Sequence, residues 1–346
     1  MQLTLVVSGL LDIAPTLLAP TDTMVPAFER LLAAAETPVA DTDGSAAIVC
    51  SALGASKQRD WPIAPLLARA SGQDADTKYW LCADPATLEA GRDDVRLRGI
   101  VWDLNDAETA SLLATLNAHF AADGLRFVAP TANCWLIACS RVQAVGTRAP
   151  DSALGKPLFA YVPSGPEAAQ WQRWQSEIQM LLFEHPVNAA REAAGRAVAN
   201  GVWLWGGGEP VKTLARRHIA ALFADDWRAR ELARGAGIPG EATPVSLDAL
   251  RSHTTLTPAL VRLEAPIVGD DSTSQLAHWL TMLEQQWIKP AAGAFHVGTV
   301  SELDVVLTGR AKTLRYKARR LTLARRLRIW RAAPRLSTLL APHFDS

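Results

Sequence analysis

Two stretches of the chain carry residue types that could do chemistry. The first is His185–Gly208, HPVNAAREAAGRAVANGVWLWGGG. Arg191 offers a planar fork suited to a phosphate or carboxylate, and the N–H groups of the glycine run Gly206, Gly207 and Gly208 could converge on the same anion. His185, Asn188 and Asn200 add hydrogen-bonding groups beside Trp203 and Trp205. The ligand-binding candidates are therefore His185, Asn188, Arg191, Asn200, Trp203, Trp205, Gly206 and Gly208. The same residues also admit a reading without a ligand. His185 and Asn188 would then tie backbone around a turn, Arg191 would pair with an internal carboxylate or carbonyls, and the tryptophans would fill core. The second stretch is Ser45 after Asp43-Gly44, a lone serine in a short loop, which is more simply a turn residue than a nucleophile.

The elements that must position these residues can be read from the pattern. Pro186 stops the preceding helix; Asn188 is a plausible N-cap for a short helix over 189–195, and Gly195 its end. Val202–Trp205 is a short buried strand that runs into the glycines, and such a run lets the backbone come close to a ligand or another segment. Before the motif, Ala168–Phe183 has an apolar stripe at Trp171, Trp174, Ile178, Leu181 and Leu182, a helix whose aromatics belong to core. The pattern places strands at 3–7, 79–83, 125–128, 135–139, 260–263 and 303–307. It places helices at 26–35, 104–120 (capped by Asn105 or Asp106, with Leu112, Leu113, Leu116 and Phe120 inward), 213–223, 227–236 and 274–287.

Composition bounds the class. The chain has 346 residues, 49% hydrophobic and 20% charged, with zero formal charge, which suits a globular protein of one large or two unequal domains. No apolar run reaches the ~18 residues of a membrane span, and no secretory leader is recognisable at Met1–Val7. The four cysteines, Cys50, Cys82, Cys134 and Cys139, form no CxxC pair. Cys134 and Cys139, which flank an apolar run, are expected as buried thiols; no zinc site is expected, and the protein is expected to be cytoplasmic. Charge is balanced overall but not locally. Residues 310–335 hold eleven Lys or Arg and no Asp or Glu, with Leu321, Leu323, Leu327, Ile329 and Trp330 interleaved. That segment is either a terminal element docked by its apolar side or a surface for nucleic acid, anionic lipid or an acidic partner.

The pattern HPVN-x2-R followed by N-x-V-W-x-W-G-x-G resembles the archaeal-type cofactor-independent phosphoglycerate mutases. It resembles still more a proteobacterial family derived from them, the regulators of pathogenicity factors, E type. The resemblance implies an alkaline-phosphatase-like α/β core with a central, mostly parallel sheet flanked by helices and a small inserted α+β domain. The core is expected over 1–75 and 165–346, the insert over 76–164. It also implies that the strands at 3–7, 202–205, 260–263 and 303–307 share one sheet, with Ser8, Glu264 and Thr308 at one edge. In the mutases, Asp and His residues at such strand ends hold two metal ions, and a Ser or Thr in a glycine-rich loop is the nucleophile. Here the corresponding places read Ser8, Ile267 and Gly309-Arg310, the glycine-rich loop is missing around Ser45, and Cys134 stands where a substrate-binding arginine is expected. Asp12 lies off the pattern, Asp270 and Asp271 read as an exposed turn capping the helix at 274–287, and His278 reads as a residue of that helix.

The sequence thus points to a degenerate mutase-like protein, regulatory or scaffolding, with no catalytic residues, no metal and no cofactor assigned. A small phosphorylated or carboxylated ligand and a protein partner are compatible with it. An active metal-dependent phosphoglycerate mutase or phosphatase with relocated ligands is the first alternative. A regulator that binds nucleic acid or a membrane surface through 310–335 is the second.

Overall fold

The computed structural model describes residues 1–18, 25–41, 44–73, 77–91, 94–212, 214, 218–253, 256–266, 273–310, 312–318 and 333–343. Its strands, in chain order, are β1 (Gln2–Ser8), β2 (Val39–Asp41), β3 (Tyr79–Ala90), β4 (Val95–Ile100), β5 (Leu125–Thr131), β6 (Cys134–Cys139), β7 (Gly201–Gly208), β8 (Ala221–Phe223), β9 (Gly240–Glu241), β10 (Ala259–Glu264), β11 (Glu302–Thr308) and β12 (Thr313–Lys317). They fall into two compact units, Met1–Leu53 with Arg217–Ser346, and Gly54–Arg216. Those limits lie outside the 76–164 insert expected from sequence.

The first unit is built on a sheet ordered β2-β12-β11-β1-β10-β8-β9. Strands β11, β1, β10, β8 and β9 run parallel, and β12 and β2 add antiparallel pairs at one side. Its central strands are apolar almost throughout because helices cover such a sheet on both faces. On one face, Leu3, Leu5, Val7, Val261, Leu263, Val305 and Leu307 pack against Phe28, Leu276, Trp287 and Phe295. Phe28 comes from the helix Pro26–Ala34, where Phe28 and Leu32 point inward as the spacing predicts. The helix expected at 274–287 is longer. It runs as Thr273–Met282, widens to a π-helix over Leu283–Ile288, and continues as Lys289–Val297. In the widened stretch Glu284 is buried, and its carboxylate accepts from the N–H groups of Ala27 (2.7 Å) and Phe28 (3.0 Å), which cap the helix Pro26–Ala34 from outside it. Burial holds the Glu284 carboxyl above its ordinary range, against those two bonds.

Two expectations fail in this unit. The helix predicted over 213–223 is not formed among the described residues of that stretch; its end is the short strand β8, buried between β10 and β9. Ala221, Leu222 and Phe223 are apolar in any setting, and the sheet edge decides their conformation. The strand read at 202–205 does not join β1, β10 and β11. It is part of β7, in the other unit. Ile267, Asp270, Asp271 and most of the basic 310–335 segment lie outside the described residues, apart from β12 and its flanks.

The second unit holds an antiparallel sheet ordered β4-β3-β6-β5, with β7 paired to β3. The long β3 serves three partners, Tyr79–Cys82 pairing with β6, Trp80–Ala86 with β7 and Ala86–Ala90 with β4. The helix Asp106–Phe120 is closed at its start by a capping box. Asn105 accepts from the Glu108 N–H (2.9 Å), and the Glu108 carboxylate accepts from the Asn105 N–H (2.9 Å). Leu112, Leu116 and Phe120 of this helix meet Trp171, Trp174 and Ile178 of the helix Ala168–Phe183 and Trp135, Val202 and Leu204 of the sheet in one core. Strand β4, Val-Arg-Leu-Arg-Gly-Ile, is absent from the sequence reading, because alternating arginines on an edge strand give it no apolar run.

Candidate functional site

The 185–208 motif folds as a turn, a helix over Pro186–Ala193, and β7. The N-cap is His185, not Asn188: its Nδ1 accepts from the Val187 N–H at 3.2 Å. With Nδ1 accepting, Nε2 is the nitrogen left to donate, and it lies 3.1 Å from Thr115 Oγ1. Burial lowers the His185 pKa, and a hydrogen bond to the Ser111 backbone partly offsets that. Asn188 is buried. It donates to the carbonyls of Leu182 (2.7 Å) and Ala199 (2.9 Å) and accepts from the Ala199 N–H (2.9 Å), stapling the helix to the strand that follows. Asn200 does the same across the sheet, pairing with the N–H and the carbonyl of Leu88.

Arg191 is the decisive member. Its side chain is 1% exposed, and each guanidinium nitrogen is taken internally. Nε donates to the Ala197 carbonyl (2.6 Å), Nη1 to both Glu108 oxygens (3.1 and 3.0 Å), and Nη2 to Asp103 Oδ1. Arg196 joins from the surface, reaching Asp103 and Glu108. Burial pushes the Asp103 and Glu108 carboxyls up, but the hydrogen bonds from Asn105, Arg191 and Arg196 outweigh it and hold both below their ordinary range. No donor of Arg191 faces outward for an anion.

The glycine triplet is equally occupied. A Cβ on Gly206, whose φ is +63°, would sit 2.7 Å from Ile63 Cβ. One on Gly207 would sit 2.5 Å from Tyr79 Oη, and one on Gly208 2.8 Å from Gln58 Oε1. The close approach that the glycines permit is therefore to neighbouring chain segments. Trp203 and Trp205 share a face of β7, buried, with indole N–H groups donating to the Arg148 carbonyl (2.8 Å) and to Asp84 Oδ2 (2.8 Å). The candidates are brought together, but as mutual ties of the second unit.

In the first unit the strand ends gather as expected. Ser8 stands in register with Glu264, and β11 flanks β1 on the other side, with Val7 opposite Leu307 and Thr308 next. Ser8 and Thr308 are buried. Asp12 turns back on this edge, accepting from the Arg310 N–H at 2.7 Å. The group that the sequence reading missed is Arg262. Two residues before Glu264, on the same face, its Nε lies 3.0 Å from Ser8 Oγ and 2.8 Å from Glu264 Oε1, and its Nη1 lies 2.5 Å from Asp226 Oδ2. Asp226 Oδ1 meanwhile caps the helix Trp227–Gly235 through the Arg228 N–H (3.0 Å). The only signal for Arg262 was an arginine inside the apolar run Leu260–Leu263.

This donor set does not fit a pair of divalent ions. Hydroxyls stand at two of the strand ends, a guanidinium sits among the carboxylates, and hard dications need several converging anionic oxygens. Among the described residues no three His, Cys, Asp or Glu side chains are arranged to hold a metal ion. Ser45 opens the helix Ser45–Ala52, with Gly44 before it. Cys134 is buried as the first residue of β6, and His278 lies exposed in its helix.

Comparison with known proteins bears on this geometry. The chain is 25% identical over 196 residues to a 2,3-bisphosphoglycerate-independent phosphoglycerate mutase of Methanosarcina mazei, covering 48% of this chain and 49% of that one. It is 31% identical over 136 residues to such a mutase of Methanothermobacter thermautotrophicus, covering 35% and 34%, and 36% identical over 90 residues to one of Methanothrix thermoacetophila, covering 26% and 23%. Its homologues are archaeal cofactor-independent phosphoglycerate mutases. The chain matches about a quarter to a half of the length of these relatives. No family model matches it. Among solved structures, the cofactor-independent phosphoglycerate mutase of Thermoplasma acidophilum aligns with 15% identity, covering 92% of this chain and 89% of that one, at a TM-score of 0.42. A Pyrococcus horikoshii protein aligns with 13% identity, covering 92% and 87%, at 0.46.

Proposed function

We propose that this chain is a non-catalytic relative of the phosphoglycerate mutases, with a regulatory or scaffolding role. One observation carries the reading. Ser8, Thr308 and the Arg262 guanidinium stand at the sheet edge where the resemblance calls for metal-binding carboxylates and imidazoles. Metal-assisted phosphoryl transfer needs its ions to lower the nucleophile's pKa and neutralise phosphoryl oxygens. Hydroxyls and a guanidinium cannot replace that charge. Capture of a small anion at 185–208 is not part of the proposal, because Arg191 is engaged within the unit. Cys50, Cys82, Cys134 and Cys139, all buried and none in a disulfide, support a reducing compartment and hence the cytoplasm. No helix among the described residues is long and apolar enough to cross a membrane.

The test is direct. The full-length protein, purified with and without manganese, is assayed for metal content and for conversion of 3-phosphoglycerate to 2-phosphoglycerate. No stoichiometric metal and no turnover are expected. Tight metal together with turnover would return the chain to the active mutases.

A further inference from the structure

We infer that the Arg262 guanidinium is the built-in cation of the parallel sheet's C-terminal edge, neutralising the carboxylates there and excluding a divalent ion. The inference rests on the non-catalytic reading above and deepens it. Strand β10 alternates along one face as Leu260, Arg262 and Glu264, in register with Thr4, Val6 and Ser8 of β1. An arginine at this parity runs its stem along the sheet toward the strand ends, where its planar head meets three partners at once. Nε faces Ser8 Oγ (3.0 Å) and Glu264 Oε1 (2.8 Å), and Nη1 faces Asp226 Oδ2 (2.5 Å). These partners come from β1, from β10 and from the residue that caps the helix Trp227–Gly235, so one cation fastens three elements.

The cation is better covered than its partners. The Arg262 side chain is 14% exposed, against 30% for Asp226 and 40% for Glu264. Its charge is permanent, because guanidinium does not lose its proton in proteins. Removing it leaves two carboxylates facing a vacated, partly covered position, and like charges so placed destabilise the fold until they are protonated or bridged. A dication could bridge them only in the space the guanidinium now fills. The chain therefore holds its own counter-charge at the place where its homologues' family is expected to hold metal, and the two are mutually exclusive.

The experiment compares the full-length wild type with Arg262→Met and Arg262→Lys by urea unfolding at neutral pH, with and without millimolar manganese. Because the pair is partly solvent-screened, Arg262→Met should raise the unfolding constant about tenfold at neutral pH. Manganese should restore most of the deficit while leaving wild type unmoved. Arg262→Lys keeps the charge but not the fork, and should fall between the two and ignore manganese. Should Arg262→Met not fold, the same chain carrying Asp226→Asn and Glu264→Gln as well is expected to fold, since asparagine still caps a helix. The inference is overturned if Arg262→Met equals wild type at neutral pH, if manganese fails to stabilise it, if manganese stabilises wild type equally, or if the triple variant also fails to fold. Manganese insensitivity of Arg262→Met in a protein without turnover would overturn this inference alone. Turnover by wild type would overturn the reading beneath it.

Discussion

At the scale of single residues, the motif singled out by its chemistry proves to be spent on holding the protein together. Arg191 has the fork that an anion site needs, yet that fork closes on Glu108, Asp103 and a backbone carbonyl. Arg191→Ala should therefore destabilise the protein by about 3 kcal/mol, because it strands the Glu108 carboxylate at the helix start without its main partner. Urea unfolding checks this, and an unchanged midpoint would return Arg191 to the list of ligand-binding candidates. His185 makes a second prediction, on pH. Its folded pKa lies below the ordinary 6.5, so as the pH drops past 6.5 the unfolded chain takes up the proton first and stability falls. Protonation of Nδ1 also ends its acceptance of the Val187 N–H. His343, lowered by burial and by Lys312, acts in the same direction. A His185→Asn variant keeps an acceptor at the cap, so the loss of stability between about pH 7 and pH 5.5 should shrink, leaving the part due to His343. An unchanged slope would remove His185 as a contributor. The residue types at 185–208 were legible in the sequence. Their partners were not, because Asp103, Glu108 and Asp84 lie about a hundred residues upstream and only the fold brings them near.

At the scale of elements, local periodicity gave what local forces decide. The helix Asp106–Phe120 follows from Asn105, Glu108 and its apolar stripe, and β1, β10 and β11 follow from continuous apolar runs. Pairing is not local, and there the reading failed. Val202–Trp205 is apolar enough for either sheet, and the antiparallel register with β3 is set by Asn200 on Leu88 and by the glycines, not by the strand's own pattern. The same nonlocality hid Arg262, whose meaning depends on what stands beside it across β1. The glycines allow a graded test. Gly206→Ala and Gly207→Ala should each cost about 1–3 kcal/mol, since a methyl meets Ile63 or Tyr79 and Leu81 well inside contact distance. Gly195, at φ +67° with open space around its missing Cβ, carries only the left-handed penalty, so Gly195→Ala should cost about 1 kcal/mol. If Gly195→Ala proved the worst of the three, crowding at the triplet would not be its reason for being glycine.

At the scale of the whole molecule, the question is whether folding is linked to a metal ion. The mostly parallel sheet is the one expected from the resemblance, and the sequence relatives are enzymes by name. The sheet edge instead carries its own charges: Arg262 against Asp226 and Glu264, with Ser8 and Thr308 contributing hydroxyls. An ion bound only by the folded chain adds RT ln(1 + [M]/Kd) to stability, about 4 kcal/mol at a thousandfold excess over Kd, so stripping it from a metalloprotein lowers the melting temperature visibly. A sheet edge neutralised by an arginine has no such term to lose. Dialysis against a strong chelator should leave the melting temperature of wild type unchanged, and added manganese, magnesium or zinc should not raise it. A fall of several degrees on chelation, reversed by one of these ions, would mean that folding is coupled to a bound ion after all, held by residues beyond Ser8, Asp226, Glu264 and Thr308.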